Sequence, residues 1–350
     1  MSDSPFPSPY GFPAVAPPTV HRLAREVERS LSAVLPGRPA GDRAPVVLVA
    51  LSGGADSLAL TAAAAHAAPR LGIRVVAAVV DHGLQDGSAE VANRAADAAR
   101  ALGVEAEVVP VVVGSVGGPE AAARQARYTA LDETAGRWGA AAVLLGHTLD
   151  DQAETVLLGL ARGSGSGSLQ GMAEVTGLLV RPFLGVRRAE TRAAVAELGI
   201  EPWDDPHNDD PAFARVRVRT RVLPVLEAEL GPGVAEALAR TAEQEREDAE
   251  AFAEMIEEFI EEICEPAEAG LSVDLGPLAA NPAAVRNRII RLVARSEFGV
   301  SLSRAHTLSI AALVTDWRGQ GPIDVPGIRV TRNGGRLHFS APDSGATLLE

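Results

Sequence analysis

The chain reads as an α/β protein: a doubly wound parallel sheet followed by a second, smaller, mostly α-helical domain. Three observations predict this. Short valine-rich apolar runs alternate with helical segments from residue 46 to about residue 198, the pattern of parallel strands joined by helical crossovers. The polar clusters of that half, SGGADS (52–57), DHGLQ (81–85) and GHTLDDQAET (146–155), each follow a strand directly. Ligand-binding residues of such sheets sit in that position. Composition then changes: residues 227–268 hold 15 acidic residues against two arginines, whereas residues 283–342 hold nine arginines against three acids. With 350 residues, two domains are expected: a tail over 1–18, the α/β domain over 19–226 and the second domain over 227–350.

The elements follow in order. Residues 1–18, MSDSPFPSPYGFPAVAPP, lack the basic and apolar regions of a secretory signal, and their prolines predict a disordered tail. Leu23, Val27, Leu31 and Leu35 recur at helical spacing, so 20–35 is expected as a helix on the edge of the sheet. Residues 46–51 form an apolar run too short for a lone helix and read as a fully buried strand. Further strands are expected at 73–80, 104–111, 141–145 and 178–180, with helices at 57–68, 87–102, 119–138, 151–161 and 187–198. RGSGSGS (162–168) reads as a flexible loop and EPWDDPHNDDP (201–211) as a turn-rich stretch. RVRVRTR (215–221) alternates like a strand but suits a helix equally. A long acidic helix or helical pair is expected over 231–264. Beyond it come a strand (271–275), helices at 282–296 and 303–315, and a small β ending over 322–339 that turns at Asn333-Gly334.

Composition narrows the function classes. No apolar run approaches the roughly 18 residues of a membrane span. Cys264 is the only cysteine, which excludes an internal disulfide and a thiol pair, so a reducing cytoplasm is the expected setting. The net charge of −14 argues against a nucleic-acid partner, but the acid is concentrated in one segment and the remainder carries basic patches.

SGGADS is the first chemical motif. A strand entering a glycine turn and then a helix brings backbone N–H groups and a helix N-terminus to an anion. Ser52, Ser57 and Thr61 add hydroxyls, and Gly53, Gly54 and Ala55 let the backbone approach. Asp56 would repel a phosphate unless a cation lies between them, and Mg²⁺ is the natural bridge. The loop is not GxxxxGK[ST], which needs a lysine; all 32 basic residues are arginine. SGGADS resembles the signature of the PP-loop ATP pyrophosphatases, which cleave ATP to AMP and pyrophosphate while adenylating an oxygen.

GHTLDDQAET is the second motif. Asp151 and Glu154 are three apart and share a helix face. Capping alone would account for acids at a helix start. The functional reading gives Asp151 to the metal with Asp56, Glu154 to a cationic substrate, and His147 to phosphate or the reacting base. His82, after the second strand, sits at the same rim as an ATP-binding candidate. EAAARQARY (120–128) supplies Arg124, the better candidate of its helix for ATP phosphates; an exposed polar face accounts equally for its neighbours.

SGGADS, VDHGL, EAAARxxRY and LGHTLDDQAET, in this order and at these distances, resemble the tRNA(Ile)-lysidine synthetase family. The resemblance covers about 45–225 strongly, WDDPHND and RVRVR included, and the C-terminal part loosely, as in a short form without the last auxiliary domain. Gln85 stands where the family often has arginine. The resemblance implies an adenine nucleotide alpha hydrolase-like PP-loop domain with ATP and Mg²⁺. It also implies adenylation of C2–O of the wobble cytidine in a CAU-anticodon isoleucine tRNA, then displacement of AMP by the ε-amine of free L-lysine. Candidate tRNA contacts are Arg187, Arg188, Arg192, Arg215, Arg217 and Arg219, with Arg286, Arg288, Arg291 and Arg295 behind them. Solvated, acid-paired surfaces account for any single one of these arginines. A homodimer is compatible with the family, though no residue demands it. Competing readings are a PP-loop amidating synthetase acting on a small molecule, and a nucleotide-binding module without catalysis. A tRNA thiolase is disfavoured by the single cysteine.

Overall fold

The computed structural model describes residues 16–35, 44–85, 87–114, 118–163, 166–267 and 270–342. Most of the expected N-terminal tail, residues 1–15, lies outside that set, as do residues 164–165 of the glycine-serine loop. The chain divides into two compact units, Met1–Arg246 and Glu247–Glu350.

The first unit opens with α1 (Pro18–Val34). Its buried face, Val20, Leu23, Ala24, Val27 and Leu31, packs on helices rather than on the sheet edge expected for it. Then follow β1 (Val46–Ala50), α2 (Ala55–Leu71), β2 (Arg74–Asp81), α3 (Ser88–Ala101), β3 (Glu105–Pro110), α4 (Pro119–Trp138), β4 (Ala142–Leu144) and α5 (Leu149–Arg162). A short hairpin, β5 (Val175–Thr176) with β6 (Leu179–Val180), leads to α6 (Arg188–Glu197). The strands order as β3-β2-β1-β4-β6-β5, parallel throughout except for the β5 edge.

β1 shows why both faces are covered. Val47 and Val49 face the core formed with α1, α2, α3 and α6. Leu48, with Val76 and Val143, faces Leu131 and Ala135 of α4. Alternation puts apolar side chains on both sides, as a parallel sheet requires. The chain runs from β1 outward to β3, then returns to β4 on the other side of β1. The order therefore reverses between β1 and β4, which is where such sheets bind ligands.

RVRVRTR is helical. α7 (Ala214–Arg217), a π-helical turn (Val218–Val222) and α8 (Leu223–Leu230) run on without a break in αR conformation. A helix puts residues four apart on one face, so the arginines split into an inner pair, Arg215 and Arg219, and an outer pair, Arg217 and Arg221. α9 (Val234–Ile263) begins in this unit. Ala235, Leu238 and Ala239 pack with Leu149, Ala153 and Leu223, and Arg246 donates to the carbonyls of Gln170 and Met172 at 2.6 and 2.8 Å. These contacts carry the first unit past residue 226, where composition had suggested a boundary.

The second unit takes the rest of α9, whose Ile256 and Ile263 are buried while Glu254, Glu257, Glu258, Glu261 and Glu262 are exposed. Beyond it come β7 (Cys264–Ala267), β8 (Gly270–Asp274), α10 (Leu275–Ala280), α11 (Ala283–Phe298), α12 (Arg304–Thr315), β9 (Ile323–Val325), β10 (Ile328–Asn333) and β11 (Arg336–Ser340). The strands form one antiparallel sheet, β7-β8-β11-β10-β9. The β ending is thus part of a five-stranded sheet, larger than the sequence suggested. Asn333 pairs with Arg336, so the hairpin turns on Gly334 and Gly335, one residue later than expected. Both have positive φ (57° and 83°), which glycine adopts freely.

Candidate active site

The site lies at the C-terminal ends of β1 and β4. After β1, Ser52 to Ser57 close a tight loop around one hydroxyl. Ser57 Oγ donates to the Gly54 carbonyl at 2.9 Å, accepts from the Ser52 amide at 3.2 Å and lies 3.2 Å from Ser52 Oγ. Thr61 is fully buried and bonds back to the Ser57 carbonyl at 2.8 Å, so it steadies α2 rather than facing a ligand. Gly53 has φ 84°, and its carbonyl accepts from the Trp203 amide at 2.9 Å. Leu58 donates to the Gly54 carbonyl at 3.0 Å as the first bond of α2. The amides before it, from Ala55 to Ser57, are the free donors of a helix N-terminus.

Asp56 lies on the first turn of α2. One oxygen, Oδ1, accepts a hydrogen bond from Thr191 Oγ1; the other, Oδ2, is 3.6 Å from Arg188 Nε. Burial pushes its carboxyl above the usual range, with Asp151 adding repulsion, against the hydrogen bond from Thr191 and the charges of Arg188 and Arg219.

Asp151 is built the same way. Thr148 caps α5: its amide and hydroxyl both donate to Asp151 Oδ2 at 2.9 Å, in a capping box. Oδ1 accepts from Arg188 Nη2 at 2.9 Å and lies 3.7 Å from Arg219. Burial acts to raise this carboxyl, but Arg188, the Thr148 bonds and His147 outweigh it, and the net shift is downward. Asp150 plays a different part, accepting from the Arg188 amide at 2.7 Å at the start of α6 and lying 3.5 Å from Arg187.

Glu154 is fully buried. Arg188 donates to Oε1 from both terminal nitrogens at 3.2 Å, Arg219 donates to Oε1 at 2.8 Å and to Oε2 at 3.3 Å, and Arg215 Nε lies 3.5 Å from Oε2. Its oxygens are enclosed by three guanidiniums, so it does not face open space where a substrate ammonium could reach it. Three arginines expected to contact RNA, Arg188, Arg215 and Arg219, are thereby turned inward.

A cationic rim lies beside this cluster. His147 is pushed down to about 4, chiefly by burial; Asp151 opposes the shift and Arg181, Arg127 and Arg124 add to it. It is neutral at pH 7. His82 is lowered too, by burial and by Arg127. Nδ1 of each is buried without a hydrogen bond among the described residues. Arg124 is exposed, donates to Tyr128 Oη at 3.2 Å and stands 4.9 Å from the centre of that ring. Arg127, half-buried, is a charge neighbour of both histidines. Arg181 donates to the Ala173 carbonyl at 2.7 Å.

Of the remaining RNA candidates, Arg187 lies 3.6 Å from Glu236, Arg192 is well exposed 3.8 Å from Asp204, and Arg217 donates to the Pro211 and Ala212 carbonyls at 2.6 and 2.7 Å. Gln85 donates to Asp205 Oδ1 at 3.4 Å and lies 2.8 Å from His207 Nδ1, tying the DHGLQ loop to the WDDPHND stretch without a charge. Reasoning from sequence missed Thr191, Trp203 and the inward role of Arg188. Thr148 was findable, since T-x-x-D before an apolar run signals a capping box.

Asp56 and Asp151 suit Mg²⁺. Each commits one oxygen to an anchoring hydroxyl or amide, and each presents the other to the same guanidinium. Two carboxylates with substrate phosphates are the usual Mg²⁺ set, which needs no protein cage. No group of three or more His, Cys, Asp or Glu arranged for a metal occurs among the described residues.

Residues 23–226 match the model of a PP-loop domain, and residues 273–338 that of a TilS substrate binding domain. The chain is 64% identical to a tRNA(Ile)-lysidine synthase of Leifsonia xyli over 84% of this chain and 89% of that one. It is 49% identical to the corresponding protein of Thermobifida fusca over 93% and 98%, and 52% identical to that of Salinispora tropica over 95% and 99%. Among solved structures it resembles a U34-tRNA thiolase from Methanococcus maripaludis, with TM-score 0.53 and 18% identity over 65% of this chain and 79% of that one. That last likeness concerns the fold alone.

Proposed function

Because the chain belongs to the tRNA(Ile)-lysidine synthase family, whose members are ligases, we propose that it joins free lysine to C2 of the wobble cytidine in a CAU-anticodon isoleucine tRNA, driven by ATP cleavage. In the first step the cytidine O2 attacks the α-phosphorus and pyrophosphate leaves. In the second the lysine ε-amine attacks C2, the C2–O bond breaks, the amine gives up a proton, and AMP leaves with the former cytidine oxygen.

One observation carries the reading: two anchored carboxylates, Asp56 and Asp151, present their outer oxygens to one cation position beside the open N-terminus of α2. The amides of Ala55 to Ser57 would hold phosphate oxygens. Mg²⁺ between Asp56 and Asp151 would bridge to the phosphates and offset the charge of the leaving pyrophosphate. Arg124, exposed on α4, and the neutral His82 and His147 are the groups available to phosphate and base; a neutral His147 can accept a hydrogen bond.

Removing the proton of the lysine ammonium at pH 7 costs about 4.6 kcal/mol. Glu154, enclosed by arginines, is better placed to hold Arg215 and Arg219 in position. That leaves Asp151, whose outer oxygen meets only Arg188 and Arg219, to receive the amine. The tRNA reaches the rim over outward arginines, Arg192 and Arg217 among them. The reaction requires tRNA and a single thiol suffices, consistent with a cytoplasmic setting.

The test is incubation of the purified protein with ATP, Mg²⁺, radiolabelled lysine and isoleucine tRNA with a CAU anticodon, with methionine tRNA as control. Label in the isoleucine tRNA alone, with AMP and pyrophosphate released, is expected. AMP formation that depends on a small-molecule acceptor and ammonia would overturn the substrate in favour of an amidating synthetase.

A further inference from the structure

Arg188 touches every carboxylate of the site. Its side chain meets Asp151 Oδ1 at 2.9 Å, Glu154 Oε1 at 3.2 Å and Asp56 Oδ2 at 3.6 Å, and its amide meets Asp150 at 2.7 Å. We propose that Arg188 is a resident counter-cation, holding these carboxylates together without nucleotide and giving way to the divalent cation that arrives with ATP. The inference rests on reading Asp56 and Asp151 as the metal-facing pair.

Four features support the exchange. Asp56 and Asp151 are fixed through their other oxygens by Thr191 and Thr148, so neither depends on Arg188 for its position. The Arg188 amide is held by Asp150, so the side chain can leave while α6 stays. Glu154 keeps Arg215 and Arg219 when Arg188 departs. Finally, three carboxylates face three guanidiniums, a neutral cluster; withdrawing Arg188 leaves a buried net charge of −1, which is costly without a replacement. The position is thus never without a cation, and a divalent ion alone must compete with a tethered one. The phosphates of ATP supply the additional ligands that tip the exchange.

The experiment uses the full chain and Mn²⁺ binding followed by electron paramagnetic resonance. Without nucleotide, Arg188→Met is expected to bind Mn²⁺ about tenfold tighter or more than the wild type, since apparent affinity scales with the fraction of protein in the competent state. Mn²⁺ should also raise the melting temperature of Arg188→Met while leaving that of the wild type unchanged. Equal Mn²⁺ affinities overturn the proposal. Should Arg188→Met fail to fold, Arg188→Lys keeps one charge without the fork and is expected to bind Mn²⁺ more tightly than the wild type; affinity at or below wild type again overturns it. Mn²⁺ with ATP is then measured on Asp56→Asn and Asp151→Asn. Binding retained in both overturns the metal pair itself. Binding lost in both, with unchanged affinity in Arg188→Met, overturns the counter-cation alone.

Discussion

Gly146 closes directly on Asp56: a Cβ at Gly146 would stand 3.1 Å from the Asp56 carbonyl oxygen and 3.2 Å from the Ser57 nitrogen. The strand end that carries His147 and the loop that carries Asp56 touch backbone to backbone, with no side chain between them. Gly146→Ala must push the two apart. It should cost about 1–3 kcal/mol by overpacking, seen as a lower urea midpoint, and raise the KM for ATP because the loop amides shift.

The two adjacent aspartates should separate cleanly. Asp151→Asn removes a ligand oxygen from the shared cation position and should lower AMP formation by about a hundredfold or more, the scale on which charge-stabilising groups act. Asp150→Asn removes only the cap on the Arg188 amide and should cost about 1 kcal/mol of stability, with a much smaller loss of rate. Parallel rate and denaturation measurements on both variants decide it; equal rate losses would refute the distinction.

Glu154→Gln leaves Arg215 and Arg219 without a countercharge. Breaking a buried charge cluster costs about 3–5 kcal/mol, so the variant should be strongly destabilised in urea and impaired in ATP cleavage as well as in lysine transfer. A variant of wild-type stability whose only defect is a raised KM for lysine would instead restore Glu154 as the amine's own ligand.

Acid should weaken the fold through His147. Its folded value is about 4 against 6.5 for an unperturbed imidazole. Between those pH values the unfolded chain takes up the proton and the folded one does not. Stability from this group is therefore complete above about pH 6.5 and is lost as pH falls toward 4, by about 3 kcal/mol in all. Urea unfolding of wild type and His147→Gln at pH 7 and pH 4.5 checks this: the wild type should lose more over the interval.

RNA binding should follow the outward arginines. Arg192→Ala and Arg217→Ala are expected to weaken tRNA binding regardless of anticodon and to reduce the salt slope by about 0.7–0.9 for each phosphate no longer neutralised. Fluorescence anisotropy over a range of salt measures both. Slopes identical to wild type would move the RNA path elsewhere.

The sheet was legible because its valine runs are short, apolar and evenly interrupted. The position of the site was legible because polar motifs follow those runs. RVRVRTR was ambiguous because its period of two imitates a strand, whereas its inner and outer pairs become apparent only once Glu154 is placed beneath Arg215 and Arg219. Arg188 looked like surface charge because sequence shows neither its burial nor the carboxylates, remote along the chain, that surround it. Thr191 gave no signal at all: a lone threonine inside a helix does not announce a bond to Asp56.

That bond has a consequence for synthesis. Asp56 and Thr191 are 135 residues apart, and Trp203, which holds the Gly53 carbonyl, comes later still. Chains emerge N-terminus first at about 5–20 residues per second, so the SGGADS loop leaves the ribosome several seconds before α6 and the strap that fixes it. During that interval the nascent protein has its nucleotide loop but not the residues that orient Asp56. Competence for ATP is therefore acquired late, when the segment through Trp203 has docked, and a half-made chain does not consume nucleotide.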